Sequence, residues 1–180
     1  ESAVALYLAD GTGTSRVGEA VWSESDAPSC AELALLSIRV LNPRGEVSSR
    51  YGAQEPIDIE IRFRVKQEVG KFRTVLTLLA DAGVVAFTST NEHLLLGRSL
   101  PEGEYKTTCR IPECLLNEGT YALNVHFGMP NIKVMIEGRR FLSFAVDAFD
   151  RSRTFQSSRW PGVVAPDLEW TVTKWSEELG

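Results

Sequence analysis

Asp58 and Glu60 stand two apart in the run Ile57-Asp-Ile-Glu-Ile-Arg-Phe-Arg-Val65. On a strand, such positions share a face about 6–7 Å apart, a separation that glycosidases use for their two carboxyl groups. Interleaved with apolar residues and followed by Arg62 and Arg64, however, these carboxylates read as solvated charge on a strand face rather than as an acid and a base. The two histidines, His93 and His126, stand in neither an H-x-x-x-H nor an H-E-x-x-H arrangement, so no metal site is expected. Cys30, Cys109 and Cys114 are odd in number and lack close metal-ligand spacing, which points to reduced cytosolic thiols. No G-x-x-x-x-G-K-[ST] phosphate loop, G-x-G-x-x-G cradle or G-x-S-x-G elbow occurs in the sequence. The residues therefore predict a protein that is not an enzyme and needs no cofactor.

What remains is chemistry suited to holding a ligand without changing it. A sugar offers hydroxyls around an apolar ring face, and a site for it needs an aromatic platform with side chains that donate and accept hydrogen bonds. The segment Leu115-Leu-Asn-Glu-Gly-Thr-Tyr-Ala-Leu-Asn-Val-His-Phe127 supplies outward polar groups. Tyr121, Leu123, Val125 and Phe127 alternate with Thr120, Ala122, Asn124 and His126. Asn124 and His126 are the first candidate glycan contacts. Arg62, Arg64 and Arg73 are candidates from strands that could lie beside them, and Trp160 is the candidate platform.

Elements must position these groups, and the sequence names most of them. Leu116, Gly119 and Tyr121 have the spacing of a tyrosine corner, in which a tyrosine hydroxyl bonds back to upstream backbone in immunoglobulin-like sandwiches. Gly119 suits the tight approach that this corner requires. The dense apolar run Leu33–Leu41 ends in Asn42-Pro43-Arg44-Gly45, and Ile57–Val65 is the clearest alternation in the chain. Residues 72–80 and 84–90 flank Asp81-Ala-Gly83 as a hairpin, with 72–80 apolar on both faces as a central strand would be. A long connection with a short helical turn spans 91–103, and a strand over 105–111 ends at Pro112. Residues 132–136 and 140–146 read as two strands joined by Glu137-Gly138-Arg139, and 168–175 as a final strand pairing with this sheet or a second copy's. These patterns predict an all-β fold, an immunoglobulin-like antiparallel β-sandwich of about eight strands.

At 180 residues, with 43% hydrophobic and 24% charged content, the chain can bury one substantial core. Its net charge of −5 argues against nucleic acid or an anionic membrane as partner. No apolar run approaches the ~20 residues needed to cross a bilayer. Residues 1–9 favour helix but are too few to hold one alone, and 10–31 read as a linker that can pack locally, with a domain boundary near Pro28.

Four stretches together resemble the carboxy-terminal domain of the ATPase subunits of polysaccharide ABC exporters, the Wzt type. They are Leu35-Leu-Ser-Ile-Arg-Val-Leu-Asn-Pro-Arg-Gly45, Pro56-Ile-Asp-Ile-Glu-Ile-Arg-Phe63, Ile111-Pro-Glu-Cys-Leu-Leu-Asn-Glu-Gly-Thr-Tyr121 and Trp160-Pro-Gly-Val-Val-Ala-Pro-Asp-Leu-Glu-Trp170. The opening Val4-Ala-Leu-Tyr-Leu8 is similar to the last helix of the ATPase domain in such exporters. The resemblance implies a tail of that ATPase domain and a linker over 1–30, then a glycan-binding sandwich over 31–180. It further implies a homodimer at the cytoplasmic face of the bacterial inner membrane. There the domain would bind an O-antigen-type polysaccharide and pass it to a membrane-spanning transporter subunit. A purely structural role, dimerising the ATPase subunits without touching sugar, is the alternative.

Overall fold

The computed structural model describes residues 14–95, 97–148, 161–166 and 168–172. Over these residues the chain forms β1 (Thr14–Arg16), β2 (Glu19–Val21), β3 (Leu33–Leu41), β4 (Arg50–Gly52), β5 (Ile57–Val65), β6 (Val69–Gly70), β7 (Arg73–Ala80), β8 (Val85–Thr90), β9 (Ser99–Leu100), β10 (Gly103–Ile111), β11 (Gly119–Met129) and β12 (Lys133–Asp147). Single 3-10 turns at Asp81–Gly83 and Glu92–Leu94 are its helical elements. The expected helix over 1–9 falls outside the described residues.

Two five-stranded sheets carry the fold. The first runs β1-β2-β3-β5-β10 and the second β4-β12-β11-β7-β8, while β6 and β9 form a small ribbon. All pairings are antiparallel except that of the short β4 with the end of β12. Antiparallel strands expose one face and bury the other, so the alternation in β5 puts Ile57, Ile59, Ile61, Phe63 and Val65 into the core at no more than 3% exposure. From the facing sheet come Leu76, Leu78, Leu123, Val125, Phe127, Leu142 and Phe144. At the centre the Phe63 ring lies 5.3 Å from Phe72 and 5.4 Å from Phe127, spacings at which aromatic pairs add to plain burial. Burying each such large side chain contributes roughly 1.5–3 kcal/mol, the main favourable term in the fold.

The tyrosine corner forms as the spacing predicts. The Tyr121 hydroxyl, buried, lies 2.8 Å from the carbonyl oxygens of both Asn117 and Val163. Val163 belongs to the segment 161–166, which the corner draws in: the Asn117 N–H donates to Val163 O at 3.1 Å, and the Ala165 N–H to Leu115 O at 2.9 Å. A second buried tyrosine, unforeseen from sequence, clamps the β3–β4 connection. The Tyr51 hydroxyl lies 2.7 Å from Val40 O and 2.5 Å from Ser48 O. Burial pushes its pKa up to about 12.

One expectation differs from the structure, and two further stretches add to what alternation shows. Residues 132–136 and 140–146 are one strand, β12, carrying a bulge: Leu123 pairs with Leu142 but Val125 with Gly138, so one residue on β11 opposes three on β12. A Cβ on Gly138 would lie 1.7 Å from the Phe141 ring, so the bulge folds that ring back over the backbone. There the ring meets Trp22 edge-on at 5.2 Å. Residues 168–172 join no ladder, and Leu168, Trp170 and Val172 are 62%, 85% and 96% exposed; the rest of the expected final strand lies outside the described residues. The stretch read as a linker packs locally to a greater degree than its composition suggests. Strands β1 and β2 extend the first sheet through Glu19↔Arg39 and Val21↔Ser37, and Ala20 is buried.

Candidate functional site

Sheet membership, which alternation cannot reveal, decides which candidate residues meet. On β11 the outward residues are Asn124 and His126; in register, His126 lies between Glu137 of β12 and Val75 of β7, and Val75 faces Thr90 of β8. Asn124 lies beside Thr77, whose hydroxyl is 3.1 Å from that of Thr88. Arg73 sits one pair further along, opposite Gly128. Strands stand about 4.8 Å apart, so His126, Val75 and Thr90 make a row some 10 Å across on the outer face of the second sheet. Asn124, His126, Val75 and Thr77 are half-buried there, because neighbouring side chains shield one another in mid-sheet. The surface is polar but partly desolvated.

Arg62 and Arg64 do not join them. Both project from β5 on the outer face of the first sheet, on the far side of the core, which corrects the grouping expected from sequence. That face is laced with ion pairs. Arg62 donates to Glu60 at 2.8 Å, and Arg64 donates to Glu104 at 2.8 Å and to Glu24 at 2.5 Å. Lys106 lies 3.5 Å from Glu60, which these cations cover until it is 7% exposed, more buried than a solvated strand carboxylate would be. The Arg110 guanidinium grips Asp58 through two bonds of 2.8 and 2.7 Å and holds its carboxyl below the usual carboxylate range. Asp58 is thus a committed anion, unsuited to donating a proton near neutral pH. The three cysteines are unpaired and half-buried, and burial pushes the Cys109 thiol up, away from nucleophilic character. Among the described residues no group of three or more His, Cys, Asp or Glu side chains could hold a metal ion. Trp160 lies outside the described residues.

Arg73 is itself engaged, donating to Glu92 at 3.0 Å and so fastening the Glu92–Leu94 turn to this face. Beyond that turn the sandwich stays open. Strand β8 ends the second sheet and β10 ends the first, and between them lies a cleft of about 250 Å³. Its floor is Ile61 and Leu76, its walls carry Ser89, Thr107 and Cys109, and Asn91 and His93 stand at its rim. Sequence reading missed these residues. Their one signal was small polar residues at inward positions of edge strands, where core demands bulk: Ser89 is paired with buried Leu76, and Thr107 with buried Ile61.

No protein-family model matches the chain, and no curated protein matches it. Among solved structures, the chain is similar to the crystal structure of the C-terminal domain of Wzt, with a TM-score of 0.62 at 13% identity, over 81% of this chain and 86% of that one. A cupredoxin domain of amoB from Nitrosocaldus yellowstonii aligns at a TM-score of 0.36 and 12% identity over 75% of this chain and 97% of that one, and carries no argument. At such identities the likeness is one of architecture: the resemblance read from four short stretches of sequence is to a domain whose fold this chain has.

Proposed function

We propose that the chain is a non-catalytic carbohydrate-binding domain that recognises an O-antigen-type polysaccharide for export by an ABC transporter. The observation that carries the reading is a fold like that of the C-terminal domain of Wzt, presenting the half-buried polar row of Asn124, Thr77 and His126 on one sheet face. Half-buried amide, hydroxyl and imidazole groups suit a polyhydroxylated ligand, because they trade water for ligand hydrogen bonds at a smaller desolvation cost than deeply buried groups would. Arg73, at the end of the row, is the cationic member of the site. In this reading residues 1–30 are the tail of a preceding ATPase domain with its linker. The module spans 31–180 and uses β1 and β2 as an added edge. It works as a homodimer at the cytoplasmic face of the inner membrane, beside a membrane-spanning transporter subunit. Among the described residues no helix is long and apolar enough to cross a membrane.

The test is a pull-down with polysaccharide purified from cells that encode the chain. The intact protein is expected to be retained, and Asn124→Ala with His126→Ala to weaken retention about tenfold. Failure of the intact protein to bind would reject the reading.

A second reading, a module that joins ATPase subunits without binding sugar, is favoured by one observation. Leu168, Trp170 and Val172 expose a run of apolar surface that a second copy could cover. Sedimentation of a chain truncated after residue 166, beside the pull-down of the intact chain, separates the two: loss of dimer on truncation together with no polysaccharide retention by the intact chain favours this second reading, and retention favours the first.

A further inference from the structure

At the side of the sandwich away from β8 and β10, β2 of the first sheet lies against β12 of the second. Two rings close this side. Trp22, directly after β2, is fixed to the first sheet by its backbone N–H, which donates to Leu36 O at 3.1 Å. Phe141 comes from the bulge in β12, and its ring meets that of Trp22 edge-on with centroids 5.2 Å apart, a favoured aromatic geometry. Both are half-buried and pack against the core, so the pair is a strut from one sheet to the other.

The strut holds a segment that the ladder does not. Between the pairs Leu123↔Leu142 and Val125↔Gly138, the single residue Asn124 faces residues 139–141. A bulge leaves residues out of register, so the cross-strand hydrogen bonds that fix a regular strand do not fix its path. Packing takes over that task. A Cβ on Gly138 would lie 1.7 Å from the Phe141 ring, and Gly138 has no left-handed backbone angle, so it is room for the ring that calls for glycine. The same bulge borders the candidate site. Glu137, immediately before it, is in register with His126, and Asn124 is the residue it faces. Asn124 and His126 therefore have the bulge as their flank on the β12 side.

We propose that Trp22 and Phe141 are positioning residues for the carbohydrate site: the ring pair fixes the bulge, and the bulge fixes the flank of Asn124 and His126. Trp22 belongs to the first sheet, so its effect on a ligand over the second is exerted through Phe141. The inference rests on the carbohydrate-binding reading and adds to it a dependence of the site on the segment that precedes β3. Without Trp22, Phe141 loses its partner across the sandwich and residues 139–141 gain alternative backbone paths. Only the molecules with the original path bind well, so the apparent affinity falls with their share of the population.

The experiment measures the affinity of the whole chain and four variants for polysaccharide from cells that encode it, beside the melting temperature of each. Trp22→Ala should weaken binding about fivefold, and Trp22→Phe, which keeps a ring in place, less than about twofold. Gly138→Ala drives the Phe141 ring from its seat without touching Trp22 and should match Trp22→Ala. Val69→Ala is the control for lost stability. It empties part of the buried β6 strand, so it should lower the melting temperature and leave the affinity unchanged. In the unliganded chain, nuclear magnetic resonance should show the amides of Asn124, His126 and Glu137 shifted in Trp22→Ala and Gly138→Ala and unmoved in Val69→Ala. Parent-like affinity or unmoved amides in a folded Trp22→Ala or Gly138→Ala would overturn the proposal and leave the carbohydrate reading standing. So would an equal loss of affinity in Val69→Ala, which would tie binding to stability alone. Failure of both variants to fold would also overturn it, because the pair would then be part of the core and nothing more. A parent chain that binds no polysaccharide overturns the carbohydrate reading, and this inference with it.

Discussion

Replacing Tyr121 by Phe removes a single oxygen from the corner on which the fold turns. The ring stays, still stacked on Phe144 at a centroid distance of 5.8 Å, so apolar burial is unchanged and the loss isolates the hydroxyl. That hydroxyl lies 2.8 Å from the carbonyls of Asn117 and Val163 at a site 2% exposed. It has one proton, so it satisfies one carbonyl fully and shares with the other. A buried hydrogen bond contributes about 1 kcal/mol net, and leaving a buried carbonyl short of a donor adds about 1–3 kcal/mol. Val163 O keeps the Asn117 N–H at 3.1 Å, which limits the second term to one carbonyl. The expected loss is therefore ~2 kcal/mol. For a domain of this size that lowers the melting temperature by about 4–8 °C. Urea unfolding measures the first figure and a thermal scan the second. Amide exchange gives a local readout, because Ala165 N–H, bonded to Leu115 O, should exchange faster once the corner no longer holds 161–166. An unchanged midpoint with unchanged Ala165 exchange would refute the claim that this hydroxyl pins the two segments.

Tyr51 makes a prediction of opposite chemical character. Its folded pKa of about 12 lies above the ordinary 10, so the folded state keeps a proton that the unfolded state loses between these values. Stability is then full below pH 10 and falls by up to about 2–3 kcal/mol as pH rises to 12. Tyr51→Phe should flatten that stretch of the stability profile, and a decline of the same size in the variant would count against the assignment. Gly18→Ala tests whether β1 and β2 are integral to the sandwich. Gly18 has φ +83°, and a Cβ there would lie 2.0 Å from the Ser48 carbonyl oxygen, so the variant should lose about 3 kcal/mol in urea unfolding. A loss under about 0.5 kcal/mol would show that the hairpin is dispensable.

The parts of the fold that were legible in sequence are those governed by local pattern. The period-two alternation of Ile57–Val65 sets strand, length and core face at once, because a one-residue slip would turn every isoleucine to water. Leu116, Gly119 and Tyr121 announce their corner because its hydrogen bond closes over a few residues. Non-local pairing was beyond reach. Alternation says that Arg62 and His126 both point outward, but only the strand order puts them on opposite sides of the core. The bulge in β12 depends on what β11 presents across the ladder, and Glu137-Gly138-Arg139 reads locally as a turn. At three residues each, β1 and β2 are too short to show a period, and the edge cleft exists only where the last strands of two sheets face each other.

The central claim is that sugar is held, unaltered, on the second sheet. The most direct test is to titrate the isotope-labelled whole chain with polysaccharide from cells that encode it and map the amides that shift. The account predicts saturable shifts at Asn124, His126, Val75, Thr77 and Thr90, with the polysaccharide recovered intact. Shifts confined to the Arg62 and Arg64 face, cleavage of the polysaccharide, or no shifts at saturating concentration would contradict it.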